Sequence, residues 1–443
     1  MAIGSPQWMY NSGSEYEIGH SVRFDKASNP SLTRTPSSEG NRKTWTYSVW
    51  VKRGNVGINT YLLGSNGRYG TFIYFSAGDK LGFSSSYADV GRGIESTALY
   101  RDPNAWMHIV AVFNTTESTG ADRMKLYVNG SRLTDLSWNT PHYIPQNNDG
   151  MGMNMTTLQE ISGGGRYAST VRWDGYMGEI NFIDGAAKAA SDFGETGDYG
   201  EWKPKAYSGS YGSQGFYLDF ADSGNLGDDE SGNGGDFAEN NIAATDQMLD
   251  SPTNNFCTWN PVSTRESYIG TLTQGNLRYN PYGATMDEPY GMKGTLAVNS
   301  GKWYFEVGRR DTGNDYHTCI SGVVNGVRKY FTLYSGNYYY SPEGNSSIGQ
   351  ASPGTDGQIS GCAFDLENNK IWFAVNGTWT NSGNPSNNTG GFPLTAGLTE
   401  VSIFTEHPNG SYDGDDIMNC GQDSSFQGLK TSGSAAAADA NGI

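Results

Sequence analysis

Hydrophobic and polar residues alternate with a period of two through most of this chain. In TWTYSVWVKRG (Thr44 to Gly54), Trp45, Tyr47, Val49 and Val51 fall on one face and Thr46 and Ser48 on the other. That is the pattern of a half-buried strand. AWMHIVAVFN (Ala105 to Asn114) is apolar on both faces, as an inner sandwich strand is. The alternation returns in WDGYMGEINFID (Trp173 to Asp184), in YGSQGFYLDFAD (Tyr211 to Asp222) and in GKWYFEVGRRD (Gly301 to Asp311). Two strands run into the same turn, KLYVNG at Lys125 to Gly130 and IWFAVNG at Ile371 to Gly377. Asn-Gly predicts a type I′ hairpin, because both central residues need φ > 0. The two turns lie 376 − 129 = 247 residues apart, too far for a solenoid repeat and suited to two β domains side by side. Sustained helical periodicity is missing; residues 186–193 (AAKAASDF) form the best short helix candidate.

Composition agrees with an all-β chain. Glycine contributes 61 of 443 residues, about double the usual share, while aromatics reach 13% and exclude a disordered low-complexity protein. The net charge of −17 disfavours an electrostatic grip on nucleic acid or an anionic membrane. No apolar run approaches a membrane span, so no membrane insertion is expected. Met1 to His20 lacks a basic n-region and an apolar core, so no secretory signal is expected either. The four cysteines, Cys257, Cys319, Cys362 and Cys420, all fall in the second half, and no disulfide framework holds the first. Cys319 and Cys362 sit in strand-like contexts and read as small buried hydrophobes.

The segments of the first half, in their order, resemble the laminin-G-like branch of the concanavalin A-like lectin/glucanase superfamily. The strand ending in Trp50-Val51-Lys52, the strand Trp106-Met-His108-Ile-Val-Ala-Val112, the Leu126-Tyr-Val-Asn-Gly130 hairpin and the closing Gly175-Tyr-Met-Gly-Glu179-Ile180 strand carry the likeness. It implies a jelly-roll sandwich over residues 16–200, with Trp106 and His108 in core packing rather than chemistry. Hydrolases of that superfamily place paired carboxylates on one strand, where they act as nucleophile and acid. No such pair is found: Glu195, Asp198 and Glu201 have the wrong spacing, and Glu179 stands alone.

Residues 201–251 read as a connector. Phe216, Leu218 and Phe220 align as a strand that completes the first sandwich, and residues 238–251 read as a linker. GDDESGNGGDF (Gly227 to Phe237) sets Asp228, Asp229 and Asp236 among glycines, which makes them candidate calcium ligands. Laminin-G-like modules carry a D-x-S-G-N-G segment of this kind, although acidic Gly-Asn loops also serve as solvated turns. No other cofactor is expected.

The order of segments over residues 252–428 resembles a SPRY domain. It runs Gly301-Lys-Trp-Tyr-Phe-Glu-Val307, then Ile320 to Gly326, Asp356 to Leu366, Lys370 to Trp379 and Phe392-Pro393. The likeness implies a second bent β-sandwich that recognises partners through its loops. The fold expected is therefore all-β, two antiparallel jelly-roll sandwiches in tandem. Tyr334, Tyr338, Tyr339 and Tyr340, on a loop read from Tyr330 to Gly344, offer flat amphipathic area to a sugar or protein. Trp379, beside the polar loop Thr378 to Gly391, joins them as a candidate ligand contact, although a scaffold role suits Trp372 and Trp379 as well.

Fold alone does not give function. There is no His/Cys/Asp metal cluster, no G-x-S-x-G and no P-loop, so a binding protein is the better reading. The module that opens SLTRTPSSEGNRKTWTYSVWVKRG, the WKPKAYSGSYGSQGFYLDF connector and the SPRY-like module together resemble tail-fibre or virion surface proteins of marine bacteriophages. That resemblance implies a non-enzymatic protein of the virion surface, binding a host-cell glycan or receptor and other virion proteins, as a homo-oligomer. A capsid-attached fibre or decoration protein is a second reading, and a polysaccharide-degrading enzyme a third. Residues 1–15 are a candidate virion-docking segment, and residues 429–443 read as a flexible tail.

Overall fold

The structure is a computed structural model that describes residues 16–65, 70–87, 90–137, 143–164, 171–262, 270–281, 290–310, 317–334, 338–340, 346–347, 357–407, 414–423 and 425–427. The chain divides into two compact units, one spanning Gln7–Asn255 and the other holding Phe256–Ile443. Both are built from antiparallel sheets, and the fold is all-β, as the alternation predicts.

The first unit stacks two eight-stranded sheets. The first sheet runs Ser131–Arg132, Met124–Val128, Trp106–Asn114, Thr44–Arg53, Gly175–Asp184, Ser21–Phe24 and Gln247–Met248, with Phe216–Leu218 also paired to Gly175–Asp184. The second runs Leu136–Ser137, Val90–Ser96, Leu81–Tyr87, Thr71–Phe75, Thr60–Ser65, Gln159–Ile161, Ser31–Arg34 and Ala238–Asn240. Trp45, Tyr47, Val49 and Val51 meet Ile73, Phe75, Leu81 and Phe83 in the core between them. Trp45 stacks on Phe113 at 5.2 Å and takes Phe83 edge-on at 5.5 Å, so one indole bridges both sheets. The helix expected at 186–193 is a single 3-10 turn, Ala190–Asp192, because the segment packs its apolar residues against the first sheet.

Residues 238–251 are not a linker. Ala238–Asn240 forms an edge strand on Ser31–Arg34, and Gln247–Met248 pairs with Ser21–Phe24. Beyond them, Asp250 is anchored in the sandwich. Its carboxylate accepts from Lys52 Nζ at 2.7 Å and from Trp106 Nε1 at 2.9 Å, and its carbonyl accepts from Ser21 Oγ at 2.6 Å. Both charged side chains of this pair are 0% exposed. These pairings are too short and too distant in sequence to leave a period-two signal.

The second unit has an eight-stranded sheet built around Asp415–Asn419, Lys302–Arg310, Ile359–Asp365 and Lys370–Val375. Its partner sheet has six strands: Tyr290–Lys293, Thr399–His407, His317–Val324, Val327–Tyr334, Tyr338–Tyr340 and Ser346–Ser347. Phe305, Val307, Phe364 and Phe373 pack against Ile320, Phe331 and Ile403. Cys257, Cys362 and Cys420 are buried free thiols, and Cys362 serves as the small hydrophobe expected. The Cys319 side chain lies outside the described residues.

The two Asn-Gly turns use one device. Asn129 and Asn376 have φ of 46° and 47°, and Gly130 and Gly377 follow at 78° and 75°, as a type I′ turn requires. The Asn129 N–H donates to the His108 carbonyl while its Oδ1 accepts from the His108 N–H at 2.8 Å. Asn376 does the same with Ile359, at 2.8 Å and 3.0 Å. Each asparagine thus replaces a strand residue that the turn would otherwise leave unpaired.

Candidate functional site

The residues singled out in the sequence fall in several places. Tyr334 ends the strand Val327–Tyr334 and pairs with Tyr338, while Tyr339 and Tyr340 continue the next strand, so this run is a hairpin rather than a loop. The side chains of Tyr334, Tyr338, Tyr339 and Tyr340 lie outside the described residues. Trp379 sits on Thr378–Trp379 at the edge of the eight-stranded sheet, half-buried, with Tyr304 edge-on to it at 5.9 Å. Trp372 is buried, and its Nε1 donates to the Thr389 carbonyl, so the 378–391 loop covers this indole.

Asp228, Asp229 and Asp236 are not gathered around a common centre. Asp229 is buried and spends both carboxylate oxygens on backbone N–H groups: Tyr217 at 2.9 Å, and Ser231 and Gly235 at 3.0 Å. Asp236 accepts from the Asp229 N–H at 3.2 Å and Asp228 is half-buried to one side. The loop is held by Asx-type turns. Among the described residues no three His, Cys, Asp or Glu side chains are placed to share a metal ion.

His108 forms a pair that resembles a nucleophile and its base, and the geometry disarms it. Ser48 Oγ lies 2.8 Å from His108 Nε2, and Trp202 Nε1 donates to His108 Nδ1 at 3.0 Å. Because Nδ1 accepts, the neutral ring carries its proton on Nε2 and donates it to Ser48. A base must do the reverse. Burial also drives the imidazole down to about 3, and the ring is closed between Trp50 at 4.8 Å and Trp202 at 6.1 Å. His108 is core packing.

Glu179 is held by two tyrosines. It occupies a β-bulge between Gly178 and Asn181 with φ of 52°, which turns its carboxylate out of the ladder. Tyr16 Oη donates to Oε1 at 2.6 Å and Tyr217 Oη to Oε2 at 3.0 Å. Burial pushes this carboxyl up to about 7, with Asp219 adding to the shift and the two tyrosine hydrogen bonds opposing it. Both oxygens are engaged, and the outer face of the first sheet beside it is clad. Ala190, Phe193, Trp202, Tyr207 and Tyr211 pack over Val110, Val112 and Ile183.

The outer face of the second sheet is arranged differently. Ile73, Phe75, Leu81, Phe83 and Ile94 point into the core, so Phe72, Tyr74, Gly82, Ser84, Gly93 and Glu95 point away from it. Phe72 has Gly64 and Ser84 directly across on its two neighbouring strands. Tyr74 has Tyr61 on one side and Gly82 on the other, and lies over the glycine so closely that a Cβ there would overlap its ring. Tyr61, Phe72 and Tyr74 form a half-buried trio: Tyr61 is 5.4 Å from each of the other two, with tilts of 50° and 43°. Three rings on a face that otherwise carries glycine, serine and paired charges present apolar area at little entropic cost. The sequence shows these rings as alternating strand positions; only the cross-strand register brings them together.

Residues 27–191 match a laminin G family described as the concanavalin A-like lectin/glucanases superfamily. No curated protein matches the chain in sequence. Among solved structures, the chain is similar to the heptameric SAP-like pentraxin of Limulus polyphemus at 16% identity, over 39% of this chain and 80% of that one, with a TM-score of 0.30. It is similar to domains LG4-5 of the mouse laminin alpha1 chain at 10% identity, over 89% of this chain and 84% of that one, with a TM-score of 0.30. The SPRY domain of human HERC1 is similar at 14% identity, over 32% of this chain and 87% of that one, with a TM-score of 0.25. The match over residues 27–191 and the two-sheet architecture make the first unit a laminin G-like, concanavalin A-like sandwich.

Proposed function

We propose that this chain is a non-enzymatic adhesin that holds carbohydrate on the outer face of the second sheet of its first sandwich. The observation that carries the reading is the trio Tyr61, Phe72 and Tyr74 on a sheet face flanked by glycine and serine. Aromatic rings stack on the C–H faces of pyranoses, and Ser84 beside Phe72 offers a hydroxyl to the sugar edge. The matched superfamily joins lectins and glucanases, and the carboxylates favour the lectin half. Glu95 and Glu160 both lie on this face, but four strand spacings separate them, about 19 Å at ~4.8 Å per strand. Glycosidase pairs lie roughly 5–9.5 Å apart.

The working place of the adhesin is a virion surface, where it meets other virion proteins and a host-cell glycan as a homo-oligomer. That part of the proposal rests on the resemblance read from the order of segments in the sequence. A glycan array probed with the full chain tests the binding; a protein that is folded and captures no glycan overturns it. Release of new reducing ends from a bound polysaccharide overturns the non-enzymatic reading.

A further inference from the structure

We infer that the ligand of the Tyr61–Phe72–Tyr74 face is an uncharged polysaccharide taken as a single, twisted chain; the inference rests on the carbohydrate-binding reading above and names its ligand class. Charge on the face is the first argument. Among the described residues, the cations beside the trio are already paired. Lys80 Nζ lies 3.6 Å from Glu95 Oε1 and donates to Ser137 Oγ at 3.1 Å. Arg172 is bound to Glu160, and its Nε donates to Asn29 Oδ1 at 2.6 Å. Among the described residues, a sulfate or uronate would have to break one of these pairs to find a partner. It would also approach a protein of net charge −17, which repels polyanions over a Debye length.

Ring geometry is the second argument. A flat crystalline polysaccharide surface needs coplanar rings to contact it all at once. The 50° and 43° tilts within the trio deny that plane. A single chain turns from one residue to the next and meets tilted rings in succession. Ser84, directly across from Phe72, supplies a hydroxyl for the sugar edges, while the Gly163–Gly164 backbone lies over Gly64 and bounds the site beside Tyr61.

The test is affinity electrophoresis of the full chain through soluble neutral polysaccharides (galactomannan, glucomannan, dextran) and anionic ones (alginate, carrageenan), with insoluble cellulose sedimented alongside. Variants are Phe72→Ala, Tyr74→Ala and Phe72→Tyr, with Tyr199→Ala as a control because Tyr199 is 83% exposed in a separate turn. A single cooperative thermal transition verifies that each variant folds. Retardation by a neutral polysaccharide, unaffected by 0.5 M salt, weakened about tenfold or more by each alanine and kept by Phe72→Tyr, is expected. Retardation only by anionic polysaccharides, or sedimentation only with cellulose, overturns the ligand class and leaves carbohydrate binding standing. Binding that both alanine variants retain overturns the site. No binding to any glycan, here or on an array, overturns the carbohydrate reading itself.

Discussion

Replacing Asp250 by alanine should destabilise the first unit more than any surface change near it. The carboxylate removed is 0% exposed, as is Lys52, whose Nζ lies 2.7 Å from it. Breaking one side of a buried ion pair costs about 3–5 kcal/mol, because the surviving charge stays dehydrated without its counter-ion. Trp106 Nε1 also loses its acceptor, adding about 1–3 kcal/mol if it too stays buried and unpaired. Against that, Asn255 Oδ1 still accepts from Lys52 Nζ at 2.8 Å, which holds the total near the lower end, about 3–4 kcal/mol. For a unit of this size each kcal/mol moves the midpoint by roughly 2–4 °C, so the expected fall is about 6–16 °C. Calorimetry of the full chain measures it, and hydrogen exchange in Trp106–Asn114 identifies the transition as the first unit's. The double variant Lys52→Met with Asp250→Leu removes both charges and should recover most of the loss. A fall under about 2 °C for Asp250→Ala would refute the clamp.

Two further predictions follow from the same unit and its neighbour. Glu179 has its carboxyl raised from 4.5 to about 7 by burial, so the folded state holds its proton more tightly than the unfolded one. Its stabilising contribution is complete below about pH 4.5 and is lost as pH rises through 7, a change of about 3 kcal/mol by pH 8. Glu179→Gln should therefore gain on the parent by about that amount between pH 4.5 and 8 in urea unfolding; parallel pH profiles would sink the argument. Asn129→Ala and Asn376→Ala each force alanine to φ near +46° and remove the side-chain acceptor, at about 2 kcal/mol apiece. Faster hydrogen exchange should appear in Trp106–Asn114 for the first and Ile359–Asp365 for the second, and equal exchange in parent and variant would count against the shared device.

What the sequence made legible was whatever the chain states locally. TWTYSVWVKRG and KIWFAVNG announce their faces residue by residue, and the core accepts those faces as written. Partners far apart in the chain left no such trace. Asp250 finds Lys52 198 residues away and Glu179 finds Tyr16 163 residues away, so residues 238–251 read as a linker and the tyrosine partners of Glu179 go unsuspected. The run Tyr338–Tyr340 misled for a different reason: Ser335-Gly336-Asn337 punctuates it like a loop, but two strands flank that punctuation and pair across it. The Tyr61–Phe72–Tyr74 trio needed the register of three strands before its rings could be seen as neighbours.

The two outer faces of the first sandwich carry different residues, and the proposed ligand face is that of the second sheet. Both start from the same alternation, which leaves every second residue of each strand outside the core. On the first sheet the outward residues include Val110, Val112 and Ile183, apolar side chains that water would not tolerate in a row. The chain covers them with Ala190, Phe193, Trp202, Tyr207 and Tyr211, and His108 is sealed beneath in one tautomer. On the second sheet the outward set is glycine, serine and paired charges, with the Gly163–Gly164 backbone over Gly64 and beside Tyr61, and three aromatic rings among them stay half-buried. Aromatic area kept on an otherwise polar face adds nothing to the core. Its loss by Phe72→Ala or Tyr74→Ala should thus lower the unfolding midpoint less than loss of a core aromatic such as Trp45 does, while binding falls by about tenfold or more.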